Sequence, residues 1–402
     1  MGREAGAAVS RPVPLRTPHS ALRIRFERPL LLLLGLYLLT LPLVTHDIRA
    51  SDEIEYYAYL RSLAFDRDLD FRNEYEHFFN RAPRKYTENG FKRTFLDTAT
   101  PTGKRPNFGP IGTALLWSPF FAAGHLVAVG ANALGAGVAA DGYSKPYLWA
   151  ITFGSALLAL AGLVLAYRLA RALVGSAAAF WATLTIWLAT PTIFYAHLAP
   201  GYSHAASLFA VGLFLTLWAR WRDDLTTPRA AVIGAAGGIV AMVREQDALF
   251  LAVPVVYAGL GLVGWGVGRG PFAPLRGGAW GRGRVGLALA PELVRTVRNL
   301  AAMAAAAILT FVPQLLTYRV LNGNWRPNKD VSDKMNLIPP HFWQVVLSPS
   351  HGLLFWSPIV VVAVVGLALL IRRNPRLGLA LLAGFVLTWY INGAIKTWTT
   401  MG

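Results

Sequence analysis

Cysteine is missing from all 402 residues. That excludes disulfides, thiol nucleophiles and cysteine-ligated metals, while leaving every compartment open. Acidic residues are scarce, 21 against 38 Lys and Arg, so the formal net charge is +17. Charge of either sign is thin at 15%, whereas 54% of residues are hydrophobic. No internal repeat, no soluble domain and no phosphate-cradling glycine loop of the Walker type is found. The first apolar run also lacks a small-residue cleavage site and is too long for a removed signal, so it reads as an anchor.

What the chain does have is long apolar runs, the mark of an all-α polytopic membrane protein. Residues 29–45 (PLLLLLGLYLLTLPLVT) carry no charge and can cross a bilayer. Arg16, Arg23, Arg25 and Arg28 precede them and hold the N-terminus in the cytoplasm, with residues 1–28 a disordered tail. An outer loop with interfacial helices follows over 46–146. Its opening part, Asp52 to about Leu63, suits a helix lying along the membrane, with Ile54, Tyr57, Leu60 and Leu63 on one face and Ser51 as its cap. Its second half, around residues 81–110, is turn-rich and reads as irregular. Residues 109–131 are long enough to span. If they crossed, however, Arg168 and Arg171 would fall outside, so they are placed in the outer interface or as a re-entrant segment.

The remaining spans are expected at about 147–167, 176–196, 202–219, 229–243, 248–267, 299–318, 352–371 and 377–393, making nine with the first. Residues 269–298, with six arginines and a Gly-rich linker over Arg269–Arg284, form a basic cytoplasmic loop, and 319–351 a second large outer loop. The arginines fall between apolar runs, where topology accounts for them, so nucleic acid is not expected as a partner. The implied location is a multi-pass plasma (inner) membrane.

Polar residues that orientation does not explain then collect at the outer side. They include Asp52, Glu53 and Glu55; Lys104, Arg105 and Asn107; Ser203 and His204; Arg244-Glu245-Gln246-Asp247; Asn328 to Asp333; and His351. Arg244 to Asp247 interrupts an apolar stretch from Ala230 to Val267, where a lipid-facing charge costs roughly 2.5–3.5 kcal/mol. The cluster reads equally as a turn joining two spans or as a phosphate site. His204 could orient a substrate or simply hydrogen-bond within the bundle.

The acidic, tyrosine-rich stretch Ser51-Asp52-Glu53-Ile54-Glu55-Tyr56-Tyr57 after a first span resembles the membrane glycosyltransferases of the GT-C fold. These include aminoarabinose and dolichyl-phosphate mannose transferases and the glycosyltransferase 39/RgtA-B-C-D-like group. Gly109-Pro110 to Pro119, Tyr167 to Arg171, Val243-Arg244-Glu245-Gln246 and Ser348 to Leu354 match in order, across most of residues 29–393. The resemblance implies a GT-C-like helical bundle and sugar transfer from a polyprenyl-phosphate donor to a lipid, glycan or protein hydroxyl on the non-cytoplasmic face. By position, Asp52 would be the base and Glu53 its neighbour. Two departures stand out. Ser203-His204 occupies the place where many relatives carry a second acid, and the chain stops at Gly402 where relatives continue, as a fragment or short variant would.

The chemistry fits these residue types independently. Glycosyl transfer needs a carboxylate to take the acceptor proton and a fixed cation to meet charge growing on the leaving phosphate. Asp52 is chosen for the first role and Arg244, then Lys104 or Arg105, for the second. Asn107, Tyr57, His204 and His351 complete the substrate-binding candidates. Direct in-line attack would invert the anomeric centre. No cofactor is predicted: a divalent metal is compatible with such chemistry, but no convincing ligand set appears. The rival readings are a transporter or flippase and a non-catalytic polyprenyl-lipid binder.

Overall fold

The computed structural model describes residues 27–266, 282–336, 338 and 341–396. The expected tail and the start of the Gly-rich linker lie outside the described residues. The described fold is all-helical, with one isolated antiparallel bridge between Met335 and Ile395. Helix α1 (Arg28–Thr40) opens with Pro29, whose fixed φ suits a first turn. Four helices follow: α2 (Ser51–Arg61), α3 (Arg72–Arg81), α4 (Pro83–Glu88) and α5 (Gly112–Ala133). The bundle continues with α6 (Lys145–Val174), α7 (Ser176–Leu188), α8 (His204–Trp221), α9 (Thr227–Val243) and α10 (Ala252–Gly266). It closes with α11 (Arg282–Asn322), α12 (Val360–Arg373) and α13 (Pro375–Gly393).

Among the described residues, five helical stretches are long and apolar enough to cross a membrane: 112–133, 145–174, 245–263, 291–322 and 375–393. Residues 28–43, 176–188 and 227–243 form shorter apolar helices. Several boundaries differ from the sequence expectation. Regular helix in α7 stops at Leu188 because Pro191 follows, and α12 starts only after Pro358. Arg282 to Arg298, expected in a basic loop, is already helical as the first turns of α11.

Helix α2 forms where a helix is expected, but over most of its length it is covered by protein on all sides. Every residue from Glu53 to Leu60 is buried, so α2 has no lipid or solvent face along that length. The segment expected to be irregular supplies the cover. It folds into α4 and a turn at Lys92–Leu96, and with α3 it presses Phe71, Tyr75, Phe78, Phe91 and Phe95 around α2. The N-cap is Ala50 rather than Ser51, which is the first helical residue.

Contacts along α6 set the register of the bundle. Tyr37 of α1 donates to the Ala156 carbonyl at 2.7 Å, and Glu27 pairs with Arg171 at 2.7 Å, so α1 and α6 run antiparallel. The chain between them therefore leaves and returns at the same end of the bundle. Helix α5 lies beside the first half of α6, with His125 bonded to Tyr147 at 2.6 Å and Phe120 against Gly154. Helix α8 lies beside the second half, with Leu208 against Gly162. The end that holds Glu27 and Arg171 is rich in arginine, including Arg168 and Arg220. There Asp223 accepts from Tyr257 at 3.1 Å, and the Arg376 guanidinium lies 3.8 Å over the Tyr257 ring.

Candidate functional site

At the opposite end, α2 delivers three carboxylates within four residues, and the fold uses them differently. Glu53 reaches back over the helix start, where its Oε2 accepts from the N–H groups of Arg49 at 2.7 Å and Ala50 at 2.9 Å. This is one half of a capping box; alanine at the N-cap has no side chain to supply the other half. Gly201 packs so tightly on Glu53 that a Cβ there would lie 2.8 Å from its carboxyl carbon. Glu55 accepts from Phe108 N–H at 2.5 Å and Gly109 N–H at 2.9 Å, and so ties the entry of α5 to α2. Asp52 is left over. Its own backbone N–H is its hydrogen-bond partner, and no side chain among the described residues donates to it.

Two cations act on Asp52 from distant parts of the chain, Lys334 and Arg244. Arg244 stands in an extended conformation (φ −149°, ψ 117°) at the break between α9 and a 3-10 helix over Glu245–Leu251 that runs on into α10. The polar interruption is thus a helix break with no loop. Its acids are satisfied by hydroxyls: Tyr318 donates to Glu245, and Ser207 donates to Asp247 at 2.5 Å. Among the described residues no carboxylate lies within 4 Å of Arg244. The guanidinium Nη1 instead donates to His204 Nδ1 at 2.6 Å, which requires an unprotonated nitrogen there because guanidinium can only donate. Tyr195 stacks on the His204 ring at 3.7 Å and fixes its plane. Beside it, Tyr56 donates to Ser203 at 3.2 Å.

Lys334 was missed by sequence reasoning, which stopped at Asp333 in the same polar run. Its segment is brought in by residues far along the chain: Lys396 N–H donates to the Lys334 carbonyl at 2.7 Å, and Asn336 N–H to Ala394 at 2.5 Å. The Lys334 ammonium lies 5.7 Å from the ring of Phe108, the residue whose N–H holds Glu55. No local pattern marks this lysine, since its position depends on a tertiary pairing.

The electrostatics separate the three acids further. Crowding by protein pushes the Asp52 carboxyl above its ordinary value although the group is exposed by area; Lys334 and Arg244 pull it back. Burial also raises Glu53, against backbone bonds from Ala50, Arg49 and Gly201. Glu55 is pushed up to about 8 by burial and then by the Asp52 charge, against the two N–H groups that bind it.

The other expected site residues are placed elsewhere or serve the fold. Asn107 is buried, donates to the Glu55 carbonyl at 2.9 Å and accepts from Gly109 N–H at 3.0 Å, so it shapes the α2–α5 junction. Arg105 donates to Thr98 O at 2.9 Å and Lys104 O accepts from Thr100 N–H at 2.9 Å, which keeps both within their own loop. Tyr57 is fully buried, donates to the Gly142 carbonyl and packs against Phe78 and Phe121. Its neighbour Tyr56 is the tyrosine that faces the site. The His351 ring lies nearly parallel to that of Trp356. Among the described residues no group of three or more His, Asp or Glu side chains is arranged to hold a metal.

Beside Asp52 opens a recess of about 440 Å³, lined by Thr45, Asp47, Ser51, Asn89 and Tyr202 among others. No protein-family model, curated protein or solved structure matches this chain.

Proposed function

We propose that the chain is an integral membrane glycosyltransferase of the GT-C type. It crosses the membrane nine times, through α1 and α6 to α13, with its N-terminus cytoplasmic and its site on the outer face. It moves a sugar from a polyprenyl-phosphate donor to an acceptor hydroxyl. The observation that carries this reading is Asp52: alone among the α2 acids it is held by no other group among the described residues, and it sits in the field of two cations that have no carboxylate partner among those residues.

Each group then has a task. The acceptor oxygen attacks the anomeric carbon and forms a new C–O bond while the bond to the phosphate oxygen breaks. Its proton passes to Asp52, a carboxylate that desolvation makes more basic than an ordinary one. The electron pair leaves with the phosphate, where Arg244 and Lys334 meet the growing charge. His204 accepts from Arg244 and aims the guanidinium. In-line displacement inverts the anomeric centre.

The test is Asp52→Asn in proteoliposomes supplied with radiolabelled polyprenyl-phosphate sugars. Asn preserves size and is tolerated near a helix start, but cannot take the proton. Transfer is expected to fall roughly a hundredfold or more, the scale of a positioned base. Near-wild-type turnover by a correctly inserted variant would sink the mechanism.

A further inference from the structure

Asp52 lines the 440 Å³ recess, and neither Arg244 nor Lys334, the two cations whose charge acts on it, is among the lining residues. The recess is built in advance by ion pairs and backbone bonds. Arg81 grips both oxygens of Asp47 at 2.8 Å, Arg49 holds Asp47 at 3.2 Å, and Lys85 and Tyr86 bond to the Arg49 carbonyl at 3.2 and 3.0 Å. A volume of this size accommodates a small ligand.

Its walls interleave donors and acceptors with aromatic surface. Thr45 and Ser51 supply hydroxyls, Asn89 an amide, Lys85 an ammonium, and Phe194 and Tyr202 ring faces. Hydroxyl groups both donate and accept, and a sugar ring adds an apolar face, so this mixture fits a polyol. A lipid chain fits it poorly. By contrast, the groove between α1, α6 and α8 is apolar throughout, lined by Leu34, Leu157, Val164 and Phe209.

We infer that the recess is the acceptor subsite and that the acceptor is a saccharide, whose attacking hydroxyl reaches Asp52 from this recess, which neither Arg244 nor Lys334 lines. The inference rests on the transferase reading and narrows its acceptor from lipid, glycan or protein to glycan.

The absence of cysteine gives a clean test. Asn89→Cys in nanodiscs is labelled with fluorescein maleimide to plug the recess. Binding of glucose, galactose, mannose, arabinose, maltose and lactose is read by saturation-transfer NMR, and transfer to the same sugars by radiolabel. Labelled and unlabelled samples are the same folded protein, and Thr45→Cys provides a second position should Asn89→Cys fold poorly. Labelling is expected to weaken saccharide binding and to lower transfer tenfold or more. Equal binding and transfer by both samples would remove the recess assignment and leave the Asp52 chemistry standing. Transfer to lipid or peptide hydroxyls with no saccharide accepted would overturn the acceptor class. Label-sensitive saccharide binding in a protein that turns over no donor would instead overturn the transferase reading and keep only a sugar site.

Discussion

At the residue scale, the site turns on which charges the fold leaves unused. Arg244→Ala should lower transfer about a hundredfold, the scale of losing one fixed donor to developing charge, and Arg244→Lys should recover only part if the two-pronged guanidinium matters. Lys334→Ala should follow Arg244→Ala, whereas Lys104→Ala, whose backbone is tied into its own loop, should stay near wild type. Equal losses at 334 and 104 would remove the special role of Lys334. A pH prediction follows from Glu55. Its folded pKa of about 8 lies above its ordinary 4.5, so the folded state binds the extra proton. The stability it contributes is full below about 4.5 and is lost as pH rises through about 8. Glu55→Gln keeps an acceptor for Phe108 and Gly109 but cannot titrate. The difference in thermal stability between wild type and variant should therefore change across pH 4.5–8; a constant difference would show that Glu55 does not titrate in this window. Asp52 and Arg244 were legible in the sequence because each breaks a local rule, an acid just past a span and a charge inside an apolar stretch. Lys334 breaks none, being one polar residue in a polar loop.

At the element scale, the junction of α5 with α9 positions Arg244. A Cβ on Gly112 would come within 2.4–2.6 Å of the backbone of Met242 and Val243, immediately before Arg244. Gly112→Ala should force these elements apart, destabilise the protein by roughly 1–3 kcal/mol as overpacking does, and reduce transfer. Gly35→Ala on α1, where nothing lies within 4 Å, is the matched control and should stay within about 0.5 kcal/mol. Similar melting temperatures for the two variants would show that the Gly112 contact is not needed. The long apolar helices were readable from composition, but the expected spans run through Pro191 and Pro358, where the regular helices end or begin. Helix α2 was also readable as a helix, but its burial was not, because its periodicity describes one face, while the cover on its other faces comes from α3, α4 and the Lys92–Leu96 turn.

At the scale of the whole molecule, α1 and α6 pair antiparallel, and in the proposed topology the residues between them make no net crossing. Single cysteines at Ser51, Ser144, Ser176 and Ser332 should then split cleanly. An impermeant reagent added from outside should reach positions 51, 144 and 332, but not 176. Labelling at 176 would reverse the assignment of that end. The arrangement also bears on how the protein is made. Asp52 and the aromatics packed around α2 are synthesised first, Arg244 later, and Lys334 with its clasp at residues 394–396 after both. At about 5–20 residues per second, the acid exists for tens of seconds in a nascent chain that lacks its full set of counter-charges. In the proposed mechanism, assembly order alone keeps the centre silent until the clasp at residues 394–396 has been made, so a shorter nascent chain has no means of consuming its donor.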